Sequence, residues 1–417
     1  PPTPLPRGQM FVFCCARIGE PIAFTVLFPF MYFVTDLNVT DDPRRLGIFV
    51  GLLAASYSIS QFLSSLPWGA LSDRIGRRPV ILSGLCGTTL SLLMLGLSKS
   101  YLWAIAARIM AGLLNGNSGV MMSLLGEISD HSNRARAFSI MPALYGVGST
   151  IGPIIGGMLS NPATQFPRLF GDSVFLRRFP YFLPCATCAA ITGFGFLISC
   201  LFLKETLTIA DADSFVNADE ERHSSPSAAS AASKGYWLIP QQCWPPVLAG
   251  ASYAFLMVIY NEIFPIWAAT PIARHGLGFQ AHQIGIALGF TGVFSFVALL
   301  FFVPAERRLG PQGLYRTALL VYTPICLLFP FFSNLMASDG VSMPMFWGLL
   351  IVALAWRAVS ALLAYSAYTV MVLDSARGTD MLGVVNGVAM CAQALSQAVG
   401  PPIGGLVWSW SQQTELV

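Results

Sequence analysis

One short stretch decides the class of this protein: Gly69-Ala70-Leu71-Ser72-Asp73-Arg74-Ile75-Gly76-Arg77-Arg78-Pro79. Apolar chain precedes it from Leu52 to Trp68 and follows it from Val80 to Leu97. A connection this short between two segments of membrane length has to turn sharply at one face of the bilayer. Three arginines lie in the stretch, and Lys and Arg are enriched in cytoplasmic loops. The turn is therefore predicted to lie at the cytoplasmic face.

The composition is that of a membrane protein. Of the 417 residues, 55% are hydrophobic and only 10% are charged, whereas about 25% of the residues in a soluble domain are charged. Segments long enough to cross a bilayer recur along the chain, which predicts an all-α integral membrane protein. The net charge of +3 does not indicate nucleic acid, because the basic residues lie in loops and at membrane edges. The expected partner surface is the lipid bilayer.

We predict eleven membrane-spanning helices, called spans 1 to 11 throughout. In order, they cover residues 10–35, 46–68, 79–98, 101–126, 136–159, 180–203, 246–271, 283–303, 314–334, 345–373 and 381–408. A cytoplasmic N-terminus puts more Lys and Arg inside than outside, which favours that orientation in a multi-pass protein of the plasma or vacuolar membrane.

The chain divides into two halves around a linker. Residues 204–243 include an acidic stretch followed by a Ser- and Ala-rich one, which cannot bury enough apolar surface to fold alone. We predict a first half at 1–203 with spans 1–6, a cytoplasmic low-complexity linker at 204–243, and a second half at 244–417 with spans 7–11.

The two halves carry similar features in the same order. Gly152-Pro153-Ile154-Ile155-Gly156-Gly157 on span 5 is echoed by Gly400-Pro401-Pro402-Ile403-Gly404-Gly405 on span 11. Arg108 on span 4 is echoed by Arg357 on span 10. Parallel repeats of this kind place a transport path at their interface, where one half rocks against the other.

Two carboxylates lie deep within the predicted spans, Glu20 and Glu262. Placing a charged side chain at the centre of a membrane helix costs about 3 kcal/mol on insertion scales, so each of these acids is a functional candidate. Low-dielectric surroundings disfavour the ionised form, so such a group can take up and release a proton. Arg17 lies one helical turn before Glu20, and the pair is either a structural ion bridge or a coupling group. Glu262 has no basic neighbour on its own helix, which favours it as the proton carrier, with a static polar contact as the alternative.

Spans 4 and 5 carry the other two motifs. Span 4 contains Arg108-Ile109-Met110-Ala111-Gly112-Leu113-Leu114-Asn115-Gly116, whose guanidinium stays charged and can act on a carboxylate or an anionic substrate. Span 5 contains Gly148, Gly152, Pro153, Gly156 and Gly157. The glycines allow close approach of another helix, and the proline bends the span. Tight packing alone is the alternative explanation for the glycines.

These motifs resemble those of the major facilitator superfamily of secondary transporters. The Gly69–Pro79 stretch resembles the superfamily's loop between spans 2 and 3, and Arg108–Gly116 resembles its span 4 motif. The glycine and proline pattern of span 5 resembles the motif of its antiporters, in the drug:proton branch. Trp68-Gly69 and Leu5-Pro6-Arg7-Gly8-Gln9 resemble the zinc-induced-facilitator-like members of fungi and plants.

The resemblance implies a fold of two six-helix halves. Since the chain has eleven predicted spans, we expect six helices in one half, five in the other and the twelfth missing. The resemblance also implies a cytoplasmic latch made of Gly69, Asp73, Arg74, Gly76, Arg77 and Glu127. In it, Asp73 would lie against the positive end of a facing helix, and Arg74 or Arg77 would bond to Glu127.

Together these features predict a monomeric, proton-coupled antiporter that exports a small organic or amphipathic solute by alternating access. Aromatic side chains would line the path: Phe24, Phe28, Tyr145, Tyr260, Phe264 and Tyr365. No Gly-Lys dipeptide occurs, which argues against an ATP-driven pump, and no pattern indicates an enzyme, a cofactor or a metal site. The alternatives are a nutrient symporter or uniporter, and a truncated non-transporting membrane sensor or scaffold.

Overall fold

The computed structural model describes residues 4–34, 45–115, 117–129, 133, 137, 140–206, 240–337, 340–375 and 382–414. Within these ranges every regular element is a helix. Seven of the described helices are long and apolar enough on their own to cross a membrane. The prediction of an all-α integral membrane protein is therefore confirmed. Residues 207–239 of the predicted linker lie outside the described residues.

Helices are found at each of the predicted spans. Their bounds are Arg7–Thr25, the 3-10 turn Phe28–Phe30 and Met31–Val34 for span 1, Leu46–Ile75 for span 2, Arg77–Gly96 for span 3, Tyr101–Leu114 and Asn117–Ile128 for span 4, Ile140–Leu159 for span 5, Phe182–Phe202 for span 6, Trp244–Ala269 for span 7, Ala281–Ala337 for spans 8 and 9, Met343–Ser375 for span 10 and Leu382–Thr414 for span 11. Three short helices, Pro162–Gln165, Pro167–Phe170 and Val174–Arg178, lie between spans 5 and 6.

The turn between spans 2 and 3 is tighter than the sequence suggested. The predicted connection of about ten residues is wrong, because span 2 continues as helix through Asp73 to Ile75. Only Gly76 separates it from the first residue of span 3, with φ 101° and ψ 161°. A positive φ of this kind is readily adopted by glycine and not by other residues, so one glycine makes the turn.

Spans 8 and 9 form one helical run that reverses at a single glycine. The run Ala281–Ala337 has 57 residues, and a straight helix of that length would measure about 85 Å, far more than the ~30 Å hydrocarbon core of a bilayer. Gly310 interrupts it with φ 67° and ψ 165°. The chain passes from one buried core at Ile284 to a second at Leu314 and returns to the first at Phe329. Gly310 therefore makes the same kind of turn as Gly76.

The buried apolar side chains show how the two halves meet. We call the end of the bundle that holds Gly76 the motif end. At the opposite end, one core contains residues from both halves, among them Phe30, Tyr181, Ile284 and Phe346. At the motif end the cores are separate: Phe13, Val80 and Leu125 belong to a first-half core, and Val247, Leu314 and Tyr368 belong to a second-half core. The halves are thus sealed together at the opposite end and packed independently at the motif end.

Glycines allow the backbones of the two halves to touch at the sealed end. A Cβ added to Gly157 would lie 2.5 Å from the carbonyl oxygen of Ala281 and 2.7 Å from the Cα of Gly285. A Cβ added to Gly51 would lie 3.0 Å from the carbonyl carbon of Pro401. Since backbone atoms cannot move aside as a flexible side chain can, the closure depends on these positions having no side chain.

Replacement of Gly157 by alanine should therefore destabilise the protein. The added methyl group would force spans 5 and 8 apart, at a cost of about 1–3 kcal/mol for overpacking. Gly348 is the matched control, because nothing lies within 4 Å of its Cβ position on span 10. Gly348→Ala should be neutral or stabilising, since alanine is favoured over glycine in a helix by up to about 1 kcal/mol. Thermal unfolding of the two purified variants tests this, and equal melting temperatures would contradict the packing argument.

Candidate transport site

Arg17 and Glu20 form an ion pair inside span 1. The Arg17 guanidinium donates to the Glu20 carboxylate, and the two side chains are 10% and 18% exposed. This is the pairing that the one-turn spacing predicted. Because the pair is intramolecular within one helix, the two charges offset each other whichever way the halves move.

Glu262 is the acid without such a partner. It lies on span 7 of the second half, is 3% exposed, and its Oε2 atom makes no hydrogen bond. Arg108 on span 4 of the first half is 4% exposed and lies within electrostatic range of Glu262. A carboxylate on one half and a guanidinium on the other therefore lie in buried surroundings, where the attraction between opposite charges is stronger than in water.

Aromatic and polar side chains hold Arg108 in place. Its guanidinium carbon lies 4.6 Å from the ring centroid of Tyr57 and 6.0 Å from that of Phe24. The Asn115 side-chain amide in turn donates to the Tyr57 hydroxyl at 2.6 Å. A cavity of about 20 Å³ lies beside Arg108, also lined by Thr88 and Ser91. A volume of this size holds about one water molecule.

The structure divides the six predicted path aromatics into three groups by their exposure. Tyr145 and Tyr365 are 47% and 39% exposed, and both lie between the halves, within electrostatic range of Arg17. Phe28 and Phe264 are buried in the shared core at the sealed end. Phe24 and Tyr260 pack against that core and are partly buried. In this conformation, Tyr145 and Tyr365 are the most exposed of the six.

A second buried arginine, Arg357, was seen in the sequence only as an echo of Arg108. It lies on span 10, is 5% exposed, and its guanidinium carbon lies 3.8 Å from the ring centroid of Tyr260. Its Nε and Nη1 atoms make no hydrogen bond. The signal that could have identified it was available, since an arginine inside a span is a functional candidate by the same rule as an acid.

The glycines of span 5 face two different helices. Gly148 and Gly152 lie against Pro21 and Thr25 of span 1, and Gly156 lies against Val26. The Thr25 hydroxyl bonds to the Pro21 carbonyl at 2.7 Å and approaches the Gly148 carbonyl at 3.3 Å. Gly157 and the backbone carbonyl of Pro153 lie against span 8 instead. Span 5 thus packs against span 1 of its own half on one side and against span 8 of the second half on the other. Gly116 of span 4 lies outside the described residues.

At the motif end, Arg77 is the centre of the predicted latch. It pairs with Asp73 one turn before it, and its Nε atom donates to Glu127 at 3.1 Å. Arg74 is exposed, and nothing lies within 4 Å of the Cβ position of Gly69. The predicted place of Asp73 at the end of a facing helix is not what the structure shows, because the adjacent Arg77 offers a stronger opposite charge.

Glu205 is the acid that lies at a helix end. Its carboxylate accepts from the backbone N–H groups of Arg77 at 2.9 Å and Arg78 at 3.1 Å, the first two residues of span 3. Thr206 donates from its hydroxyl to Glu127. Residues 204–206 had been assigned to the linker on composition, and no pattern within that segment indicated that they return to the motif.

Comparisons with known proteins agree with the resemblance that the motifs indicated. The profile of the Major Facilitator Superfamily matches residues 10–401. The multidrug transporter mfsB of Aspergillus fumigatus is 29% identical over 97% of this chain and 79% of its own length. The Arabidopsis thaliana protein Zinc Induced Facilitator 1 is 30% identical over 95% of this chain and 83% of its own length.

A solved structure shares the fold at low sequence identity. It is that of a bacterial homologue of the human lysosomal transporter Spinster, in an inward-facing and occupied conformation. The TM-score is 0.68 at 16% identity, over 99% of this chain and 85% of that one. The predicted fold of two helical halves and the resemblance to efflux and zinc-induced-facilitator proteins are both confirmed.

Removal of the Glu205 carboxylate should loosen the start of span 3. Without it, the amides of Arg77 and Arg78 lose their acceptor, as when a helix cap is deleted at a cost of about 1 kcal/mol. In Glu205→Ala we expect hydrogen exchange at these two amides to become about fivefold faster. Glu306→Ala, which removes an acid near the corresponding turn of the second half, is the control and should leave them unchanged. Equal exchange in both variants would show that Glu205 does not cap the helix.

Proposed function

The chain belongs to the Major Facilitator Superfamily, and we propose that it works as a proton-coupled antiporter that exports a small organic or amphipathic solute. Members of this superfamily move small molecules across membranes and are transporters rather than enzymes. The observation that carries the proposal is Glu262, a buried acid of the second half with one unbonded oxygen that lies within electrostatic range of Arg108 of the first half.

Protonation of Glu262 would change how strongly the halves attract each other. When the carboxylate is ionised, its attraction to Arg108 is large because the surroundings have a low dielectric constant. When it is protonated, that attraction is lost and the halves are free to separate. One titratable group thereby couples proton binding to the rocking of the halves, which is the physical requirement for a proton-driven carrier.

The separate cores at the motif end support a path that opens on that side. We propose that the motif end and the N-terminus lie in the cytoplasm, because the arginines of the turn follow the positive-inside rule. A solute would then enter from the cytoplasm between Tyr145 and Tyr365, whose rings suit mixed apolar and polar substrates. We further propose that one monomer suffices, with halves at 1–203 and 244–417 around the linker.

Two observations favour antiport over symport. The first is the glycine and proline pattern of span 5, which resembles the antiporter motif and which the structure places between span 1 and span 8. The second is the similarity to mfsB, a multidrug transporter. One proton that crosses about 100 mV releases about 2.3 kcal/mol, enough to maintain a roughly forty-fold solute gradient.

The direction of proton movement tests the proposal directly. The purified full chain would be reconstituted in liposomes with the membrane potential clamped, and rhodamine 123 would serve as an amphipathic probe. An antiporter accumulates the probe when the lumen is acidic, and a protonophore abolishes this accumulation. Accumulation only when the outside is acidic would instead establish a symporter. Protein-free liposomes under the same gradients give the background to subtract.

In the same liposomes, Glu262→Gln should abolish accumulation driven by the pH gradient. The amide keeps the shape of the side chain but cannot carry a proton, so exchange of labelled for unlabelled rhodamine 123 should continue at a rate within about threefold of the unmodified protein. Uphill accumulation by this variant would remove Glu262 from the coupling role.

Glu20→Gln should be milder in coupling and should mainly lower protein yield. The substitution leaves Arg17 unpaired in a low-dielectric site, which destabilises the fold. We expect at least half of the pH-driven accumulation per folded molecule, with yield measured by size-exclusion chromatography. Normal yield combined with complete loss of coupling would show that Glu20, and not Glu262, carries the proton.

A further inference from the structure

Besides Arg77 at the turn before span 3, three arginines are buried within the spans of the described chain, and they differ in how their charge is balanced. Arg17 is bonded to Glu20, and Arg108 lies within range of Glu262. Among the described residues, no ion pair joins a carboxylate to Arg357, and the ionisable groups within its electrostatic range are three tyrosines and Cys326, which are neutral near pH 7. Arg357 is therefore the one buried cation of the three that lacks an acid.

The guanidinium of Arg357 is stacked on one face and unbonded at its edge. The ring of Tyr260 lies 3.8 Å from its central carbon, and Nε and Nη1 have no acceptor although Arg357 is 5% exposed. A cation–π contact returns much less free energy than the burial of an unpaired charge removes. The stacked ring thus fixes the plane of the guanidinium and leaves the charge itself unsatisfied.

Neighbouring rings keep this arrangement rigid. Tyr260 stacks on Phe264 at 5.5 Å and packs against Phe329 of span 9 at 5.6 Å. The hydroxyl of Tyr260 is also buried without a hydrogen-bond partner, and Tyr322 lies within electrostatic range of Arg357. Two sets of unsatisfied donors, a guanidinium edge and a phenol, therefore occur together in an aromatic setting.

A row of tyrosines lies between Arg357 and the open space between the halves. Tyr365 is 39% exposed, and its ring centroid lies 6.0 Å from that of Tyr253. Tyr253 is in turn within electrostatic range of Arg357. Because Tyr253 and Tyr260 are two helical turns apart on span 7, they lie on the same face of the helix.

We propose that Arg357 and Tyr260 bind the anionic group, a carboxylate or its equivalent, of an aromatic or amphipathic solute. The fork of guanidinium N–H donors matches a carboxylate in two parallel hydrogen bonds, and the tyrosines pack against the solute's apolar body. This inference rests on the proposed function, in which a solute enters between Tyr145 and Tyr365. It adds that the preferred solutes are organic anions.

Two dyes with the same ring system and opposite charge test the site. Fluorescein is anionic and rhodamine 123 is cationic, and both report binding through fluorescence polarisation. The full chain in lipid nanodiscs should bind fluorescein at least about tenfold more tightly than rhodamine 123, after subtraction of empty nanodiscs. In Arg357→Gln, fluorescein binding should weaken by at least about tenfold, and rhodamine 123 binding should change by less than about twofold.

Further variants separate a binding role from a structural one. Arg357→Lys keeps the charge and loses the planar fork, so fluorescein binding should fall to a level between those of the original protein and Arg357→Gln. Arg316→Gln removes an exposed arginine of the same half and should bind both dyes normally. Because the dye-free protein holds an unpaired charge, Arg357→Gln should melt at the same or a higher temperature. A lower melting temperature with unchanged fluorescein binding would make Arg357 a structural residue and overturn the proposal.

The outcomes also distinguish this site from the proposed function. Proton-driven accumulation of rhodamine 123 by a protein that shows no preference for fluorescein would overturn the anion site and leave the antiporter proposal standing. Fluorescein binding that depends on Arg357, in a protein that accumulates neither dye under any pH gradient, would support the site and contradict proton-coupled transport. Failure of the wild-type protein to bind fluorescein would overturn the anion site outright.

Discussion

The requirement that a charge inside a bilayer be balanced governs the arrangement of this protein. Desolvation makes each buried ion costly, and the cheapest remedy is an opposite charge on the same helix, as with Arg17 and Glu20. That remedy gives a fixed structure. Arg108 and Glu262 use a different one, because they lie on different halves and their attraction depends on the distance between those halves. The same physical constraint is thus met within one helix in one place and between the two halves in the other.

The two halves have similar scaffolds but use their buried arginines differently. Arg108 lies against Tyr57 and Arg357 against Tyr260, so in each case an aromatic ring packs against a buried guanidinium. In the first half the guanidinium lies within range of an acid of the other half. In the second half the guanidinium has unbonded donors and no acid within range in the described chain. A repeated framework therefore places its two buried arginines in different electrostatic surroundings.

The sequence predicted the spans well because hydropathy acts locally. Apolar length identified each helix, and one-turn spacing identified the Arg17–Glu20 pair. Contacts between distant segments were harder. The role of Glu205 at the start of span 3 depends on where the chain returns after span 6, and nothing in the residues next to it encodes that return.

The path aromatics show a second limit of the sequence. Phe28 and Phe264 were predicted to line the path, yet they are buried because the halves close on each other at their level. Tyr145 and Tyr365 are equally aromatic but lie where the halves are apart. Which aromatic residues are exposed depends on how far apart the halves lie at each level of one conformation. The sequence alone does not specify that separation.

The two turning glycines, finally, have a mechanical consequence. Gly76 and Gly310 both turn the chain at positive φ, 101° and 67°, so spans 2 and 3 and spans 8 and 9 each form a hairpin around one glycine. The bend at Gly76 is braced by Glu205 and by the Asp73–Arg77–Glu127 cluster, whereas nothing lies within 4 Å of the Cβ position of Gly310. The turn at Gly76 is therefore held by polar contacts from two other segments of the chain, the end of span 4 and the residues after span 6. A change in the angle between spans 2 and 3 would have to break those contacts, at a cost beyond that of the glycine backbone itself.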